Sequence, residues 1–102
     1  MDVLQIGTST EICEVAHDTE LSLMRVRFHR NGRARADYYE FANVPRGVFD
    51  EFRRIEDDAR HAGISLRKVE VQQSVARYYH RTLRVLFDGV RVMPGGDRVR
   101  LV

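Results

Sequence analysis

Six residues near the end of the chain combine side chains that suit one kind of chemistry: Tyr78, His80, Arg84, Arg91, Arg98 and Arg100. Guanidinium forks match the oxygens of a phosphate, and Tyr or His rings can stack on bases. Read as a strand, the run around Leu83, Val85 and Phe87 alternates, and so do Val90, Val92, Val99 and Leu101 further on. With those apolar residues turned inward, the six would share the opposite face. The expectation is an Arg/Tyr sheet face that binds nucleic acid or a phosphorylated nucleotide, with an affinity that falls as salt rises. The same pattern would suit a solvated face whose arginines keep a sheet edge from aggregating. Arg and Tyr are also enriched at protein interfaces.

A second charged set is Glu56-Asp57-Asp58. On a helix it is a solvated face, or an acidic patch that docks on a basic partner. The four histidines, His17, His29, His61 and His80, have no metal-ligand spacing, so no metal is expected. Pro94-Gly95-Gly96-Asp97 lacks the Lys-Ser/Thr ending of a phosphate-binding loop and reads as a turn. No Ser/His/Asp or Cys/His set can be placed by spacing. No catalytic residue and no cofactor is therefore expected, and the chain is not expected to be an enzyme. Cys13 stands alone between Glu11-Ile12 and Glu14-Val15, so no internal disulfide can form. The flanking acids oppose a thiolate, which suits a small packing residue in a reducing, cytoplasmic compartment.

The 102 residues carry a net charge of only +2. Residues 1–63 hold 9 Arg against 12 Asp and Glu, whereas residues 64–102 hold 8 Arg and Lys against 3. An acidic front and a basic back thus hide behind a small net value. All but one of the 17 basic residues are Arg, which fits either codon bias or a preference for planar forks. Met1-Asp2-Val3-Leu4 shows neither a basic region nor a long apolar run, so no signal peptide and no membrane span are expected.

The elements that must hold these residues centre on Asp37 to Gly63. Tyr38, Tyr39 and Phe41 favour a strand, with Tyr39 and Phe41 on one face. Asn43-Val44-Pro45 ends it, Asn43 as a cap and Pro45 in a first turn. Val48, Phe52, Ile55, Ala59 and Ala62 then trace one helical stripe, which Phe49 widens. Asp50 and Glu51 fall in the first turn and Arg60 and His61 in the last; Asp50/Arg54 and Glu56/Arg60 are spaced to pair. Gly63 is a natural stop. Before this core, Val3–Ile6 reads as an edge strand or a partner contact. Glu11–His17 and Leu21–Arg30 are strands, the second with Met24, Val26 and Phe28 on one face and a phase change at Leu23 that suggests a bulge. Asn31-Gly32 marks a hairpin into Arg35–Ala42. After it, Ile64–Val71 reads as a strand and Gln72-Gln73-Ser74 as a turn. Val75–Phe87 fits helix or strand, and its aromatic and β-branched content favours strand. Asp88-Gly89 would be a two-residue turn setting Phe87 opposite Val90 and Val85 opposite Val92. Arg98–Val102 is the last strand.

The series Leu23, Val26-x-Phe28, Asn31-Gly32, Tyr39-Glu40-Phe41, Val44-Pro45, Val48-Phe49 and Phe52 resembles the KTSC domain. That short domain occurs alone in bacterial and phage proteins and at the end of some lysyl-tRNA synthetases. The likeness covers residues 9–63. It departs at Phe41, where the second Tyr of Tyr-x-Tyr is usual, and at Glu56-Asp57-Asp58, where an Ala-x-Ser step often stands. The resemblance implies a strand–turn–strand–helix core and, for partners, RNA.

The whole therefore reads as one domain, 1–102, of α+β class: an antiparallel sheet against one main helix at about 45–62, followed by a C-terminal β-meander. The competing function is a small regulator or inhibitor of the kind phages and mobile elements carry, acting on a host protein or nucleoprotein complex. Homodimerisation is also expected to be feasible, since edge strands near Val3 and Val102 need covering.

Overall fold

The computed structural model describes residues 1–62 and 68–101. The fold is α+β. Among the described residues, β1 (Asp2–Gln5), β2 (Ile12–Asp18), β3 (Leu23–Arg30), β4 (Arg33–Ala34), β5 (Tyr38–Phe41), β6 (Gly89–Val92) and β7 (Arg98–Arg100) form one antiparallel sheet. Its order is β1-β2-β3-β5-β6-β7, with β4 pairing only to β3. Between the neighbours β5 and β6 the chain leaves the sheet for a helical layer. That layer comprises α1 (Arg46–Ala62), α2 (Lys68–Tyr78), a π-helical segment (Tyr79–Leu83) and the short α3 (Arg84–Leu86). Among the described residues, no helix is long and apolar enough to cross a membrane.

The strands up to Phe41 follow the sequence closely. Val3–Ile6 yields the edge strand β1, and Asn31 and Gly32 take φ of 52° and 77°, the doubly left-handed pair of a tight hairpin turn. The bulge lies in β2 and not in β3. Ile12 pairs with Phe28 and Glu14 with Arg27, which leaves Cys13 unopposed. That extra residue lets Ile12 and Val15, three apart, both reach the core. Cys13 is half-buried, and burial pushes its thiol up, with Glu14 adding to the effect. Of the expected strand Arg35–Ala42 only Tyr38–Phe41 forms one, β5, and the short β4 precedes that range.

The α1 stripe is centred on Phe49, Phe52 and Ala59, with Val48 and Ile55 at its margins. Asn43 takes a left-handed φ of 58° rather than the extended backbone of a cap. Because the helix starts at Arg46, Asp50 and Glu51 lie beyond its first turn. Arg54 pairs with Glu51 and Asp58, whereas Glu56–Arg60 forms as spaced. His17, buried on β2, ties the sheet to the entry of α1 by a 2.8 Å bond between Nε2 and the Val44 carbonyl.

The region after α1 overturns the expectation of a meander. Gly63 and the first half of the strand expected at Ile64–Val71 lie outside the described residues. Lys68–Val71, Gln72-Gln73-Ser74 and Val75–Leu86 are helical. Asp88-Gly89 is not a hairpin turn but the passage from helix into β6, so the register expected for Phe87 and Val85 does not exist. The deciding force is packing. Val75, Tyr79 and Leu83, four apart, are buried against the sheet, and the Tyr79 ring meets Phe28 and Phe41 edge-on at 5.2 and 6.0 Å. Tyr78 meets Phe52 of α1 at 4.8 Å. The C-terminal strands shrink to the β6–β7 hairpin, closed by the Pro94–Asp97 turn with Gly96 at φ 91°. β1 and β7 are the sheet's two edges.

All these helical contacts fall on one side of the sheet. Met24, Val26, Phe28, Tyr39 and Phe41 face the helices. Register then turns Arg25, Arg27, Tyr38, Glu40, Val90, Val92, Arg98 and Arg100 to the opposite side. No described helix covers that side.

Candidate nucleic-acid interface

Two buried carboxylates near β5 organise the arginines, one on each side of the sheet. Glu40 lies at the middle of the open face. Arg25, opposite it on β3, donates Nε to Glu40 Oε2 at 3.0 Å, and Arg98 of β7 donates Nη1 to Oε1 at 2.7 Å. Burial raises the Glu40 carboxyl, but the hydrogen bonds and charges of Arg98 and Arg25 outweigh it and hold the group below the usual range. Beside this trio the Tyr38 ring lies under two guanidiniums, with Arg25 and Arg27 carbons 5.0 and 5.4 Å from its centroid. Arg100, opposite Val90 on the same face, is exposed. The face is an open, aromatic-centred surface with four arginines around one buried acid, and Glu14, opposite Arg27, adds a second carboxylate at its β2 side. A hollow of about 210 Å³ borders Arg25, Arg27 and Tyr38, and another of about 390 Å³ borders Glu40, Arg98 and Arg100.

The second carboxylate, Asp37, precedes β5 and serves the other side. Arg35 grips it with both Nε and Nη2, at 2.9 and 3.1 Å, and Arg91 of β6 adds Nε. Here too burial raises the carboxyl, and the hydrogen bonds from Arg91 and Arg35 more than reverse the effect. Arg91 lies opposite Tyr39, so it points to the helical side.

The six residues singled out from the sequence are therefore not brought together. Tyr78, His80 and Arg84 lie on the helical layer, not on a strand. Tyr78 is half-buried against Phe52, and His80 Nε2 meets Glu11 at 2.8 Å. Arg91 faces the helical side with Asp37. Only Arg98 and Arg100 reach the open face. Their companions there are Arg25, Arg27 and Tyr38, which the sequence reading passed over. The signal was present: Met24, Val26 and Phe28 inward imply Arg25 and Arg27 outward, and Tyr39 and Phe41 inward imply Tyr38 and Glu40 outward. Missing was the strand order that sets β6 and β7 beside β5.

The acidic trio does not form one patch either. Glu56 is fully buried; it accepts the Gly7 N–H at 2.7 Å, the Thr8 N–H at 3.3 Å and the Thr8 hydroxyl, and pairs with Arg60 Nε at 2.7 Å. It fastens the β1–β2 connection to α1 and is closed to a partner. Asp58 pairs with Arg54, and Asp57 is exposed. Among the described residues, no three His, Cys, Asp or Glu side chains gather as a metal site would require.

No protein-family model matches the chain, and no curated protein is significantly similar to it.

Proposed function

We propose that the protein acts by binding, not catalysis, and that its open sheet face takes single-stranded nucleic acid. The observation that carries this reading is the Tyr38 ring set among Arg25, Arg27, Arg98 and Arg100 on a face without a described helix over it. Flat faces with an aromatic centre suit stacked bases, and surrounding guanidiniums suit the phosphates between them. Glu40 fixes Arg25 and Arg98 so that less side-chain freedom is lost when their remaining N–H groups meet a phosphate. The resemblance of residues 9–63 to the KTSC domain points to the same class of ligand. The competing proposal, a regulator that docks through Glu56, Asp57 and Asp58, has less support because Glu56 is occupied inside the fold.

Fluorescence anisotropy with a labelled single-stranded oligonucleotide, titrated at several salt concentrations, tests the proposal. Four arginine–phosphate contacts would give a log–log salt slope of about −3. Arg100→Ala would make that slope shallower by about 0.7. A flat salt dependence, or an Arg100→Ala variant with unchanged affinity and slope, would remove the sheet face as the binding surface.

A further inference from the structure

A concave site lies at the end of the sheet, away from the Tyr38 face. Arg30, Arg33, Arg35 and Arg91 line a cleft of about 680 Å³ whose one acidic residue is Asp37. That volume is in the range of small-molecule pockets. The two arginines beside Asp37 are held in place. Arg35 uses Nε and Nη2 on the carboxylate, which leaves Nη1 free of it, and Arg91 uses only Nε, which leaves both terminal nitrogens. Arg30 and Arg33 face each other across the Asn31-Gly32 turn and are exposed. Their side chains have no partner among the described residues. Four guanidiniums thus share a hollow with a single carboxylate, which is buried and accepts from two of them. Such crowding leaves a strongly positive field over an open hollow, which attracts an anion. The rest of the wall is Asn31 of the hairpin turn and the apolar Ala34, Ala36, Met93 and Pro94.

We propose that this cleft is a phosphate site for a nucleoside phosphate, with Arg35 and Arg91 as its fixed floor and Arg30 and Arg33 closing on the phosphate from the hairpin. The apolar wall takes the sugar or base. A planar fork can bind two phosphate oxygens at once, so two or more arginines saturate a terminal phosphate better than a bridging one. The ligand can be a free nucleotide or the phosphorylated 5′ end of a strand. The site stands whether or not the sheet face binds nucleic acid, since the two share no arginine.

Calorimetric titration of the full chain with ADP, pyrophosphate and adenosine tests the site, followed by anisotropy with 5′-phosphorylated and 5′-hydroxyl forms of one oligonucleotide. ADP and pyrophosphate are expected to bind at least tenfold tighter than adenosine. An Arg30→Ala/Arg33→Ala variant, checked to melt like the wild type, should weaken ADP at least tenfold, while Arg100→Ala leaves ADP unchanged. A preference for the 5′-phosphorylated oligonucleotide that vanishes in the double variant assigns the site to strand ends. ADP binding without that preference assigns it to free nucleotides. Equal affinity for ADP and adenosine, or full ADP affinity in the double variant, would overturn the proposal. Loss of oligonucleotide binding in Arg100→Ala with ADP intact would bear on the sheet face and leave the cleft standing.

Discussion

The Glu40 and Asp37 clusters are built from the same parts and set in different surroundings. Each has one buried carboxylate accepting from two arginines of different strands or segments, with two more arginines alongside. Around Glu40 the surface is shallow, and a tyrosine ring supplies its centre. Around Asp37 the surface is a broad open hollow bordered by the Asn31-Gly32 hairpin, two alanines, Met93 and Pro94, with no aromatic ring. The partners differ as well. Arg25 and Arg98 are 40% and 56% exposed, whereas Arg35 and Arg91 are 24% and 35% exposed. A guanidinium in water is easily re-solvated when its acid is lost; one half withdrawn from water is not. The contrast teaches that an ion pair's structural weight depends on how far both partners are withdrawn from solvent, and equal burial of the acids conceals it.

The largest expected effect follows from this. Asp37→Asn should destabilise the fold by about 3 kcal/mol, because it strands Arg35 and Arg91 without a counter-charge. Glu40→Gln should cost about 1 kcal/mol, since water replaces much of what its arginines lose. Urea denaturation of both variants at neutral pH measures the difference; equal losses would break the comparison.

Acid should sharpen the same contrast. Both carboxyls titrate below their unfolded values of roughly 4. Groups lowered in this way stabilise the native state fully above the unfolded pKa, and that stability drains away as pH falls through the folded one. The denaturation midpoint should therefore hold level from pH 7 to about 5 and drop below about 4. Asp37→Asn should flatten the acid limb, having already lost that contribution. An unchanged acid limb in Asp37→Asn would show that other carboxylates govern the drop.

The smallest effect on stability is expected from Arg27→Ala, which removes one of the two guanidiniums over Tyr38. It should cost about 0.5 kcal/mol, typical of an exposed cation–π contact. Its effect on oligonucleotide affinity should be larger than on melting, because Arg27 belongs to the face and not to the core. A variant that melts much lower but binds normally would make Arg27 a packing residue.

The front of the chain could be read because its elements are specified locally. Asn31-Gly32 demands a tight turn, and Phe49, Phe52 and Ala59 share a stripe that only a helix provides. The stretch from Lys68 to Leu86 carries no such decision. Val75, Tyr79 and Leu83 suit a helix, while Tyr79, Leu83, Val85 and Phe87 suit a strand. Val85, which the strand pattern turns inward, is 70% exposed. The helical fold of this one region carries Tyr78, His80 and Arg84 away from the strands that hold Arg98 and Arg100.

The sequence by itself determined the α+β class, the main helix, the first hairpin and the presence of arginines far in excess of what a net charge of +2 suggests. Tertiary structure decided which arginines act together. Arg25, Glu40 and Arg98 come from three strands, and Asp37 meets Arg91 from 54 positions away. Such partners depend on strand order and on which face a second helical segment covers. The first is a matter of β5–β6–β7 pairing and the second of Tyr79 packing on Phe28 and Phe41, long-range choices that no short window of residues contains.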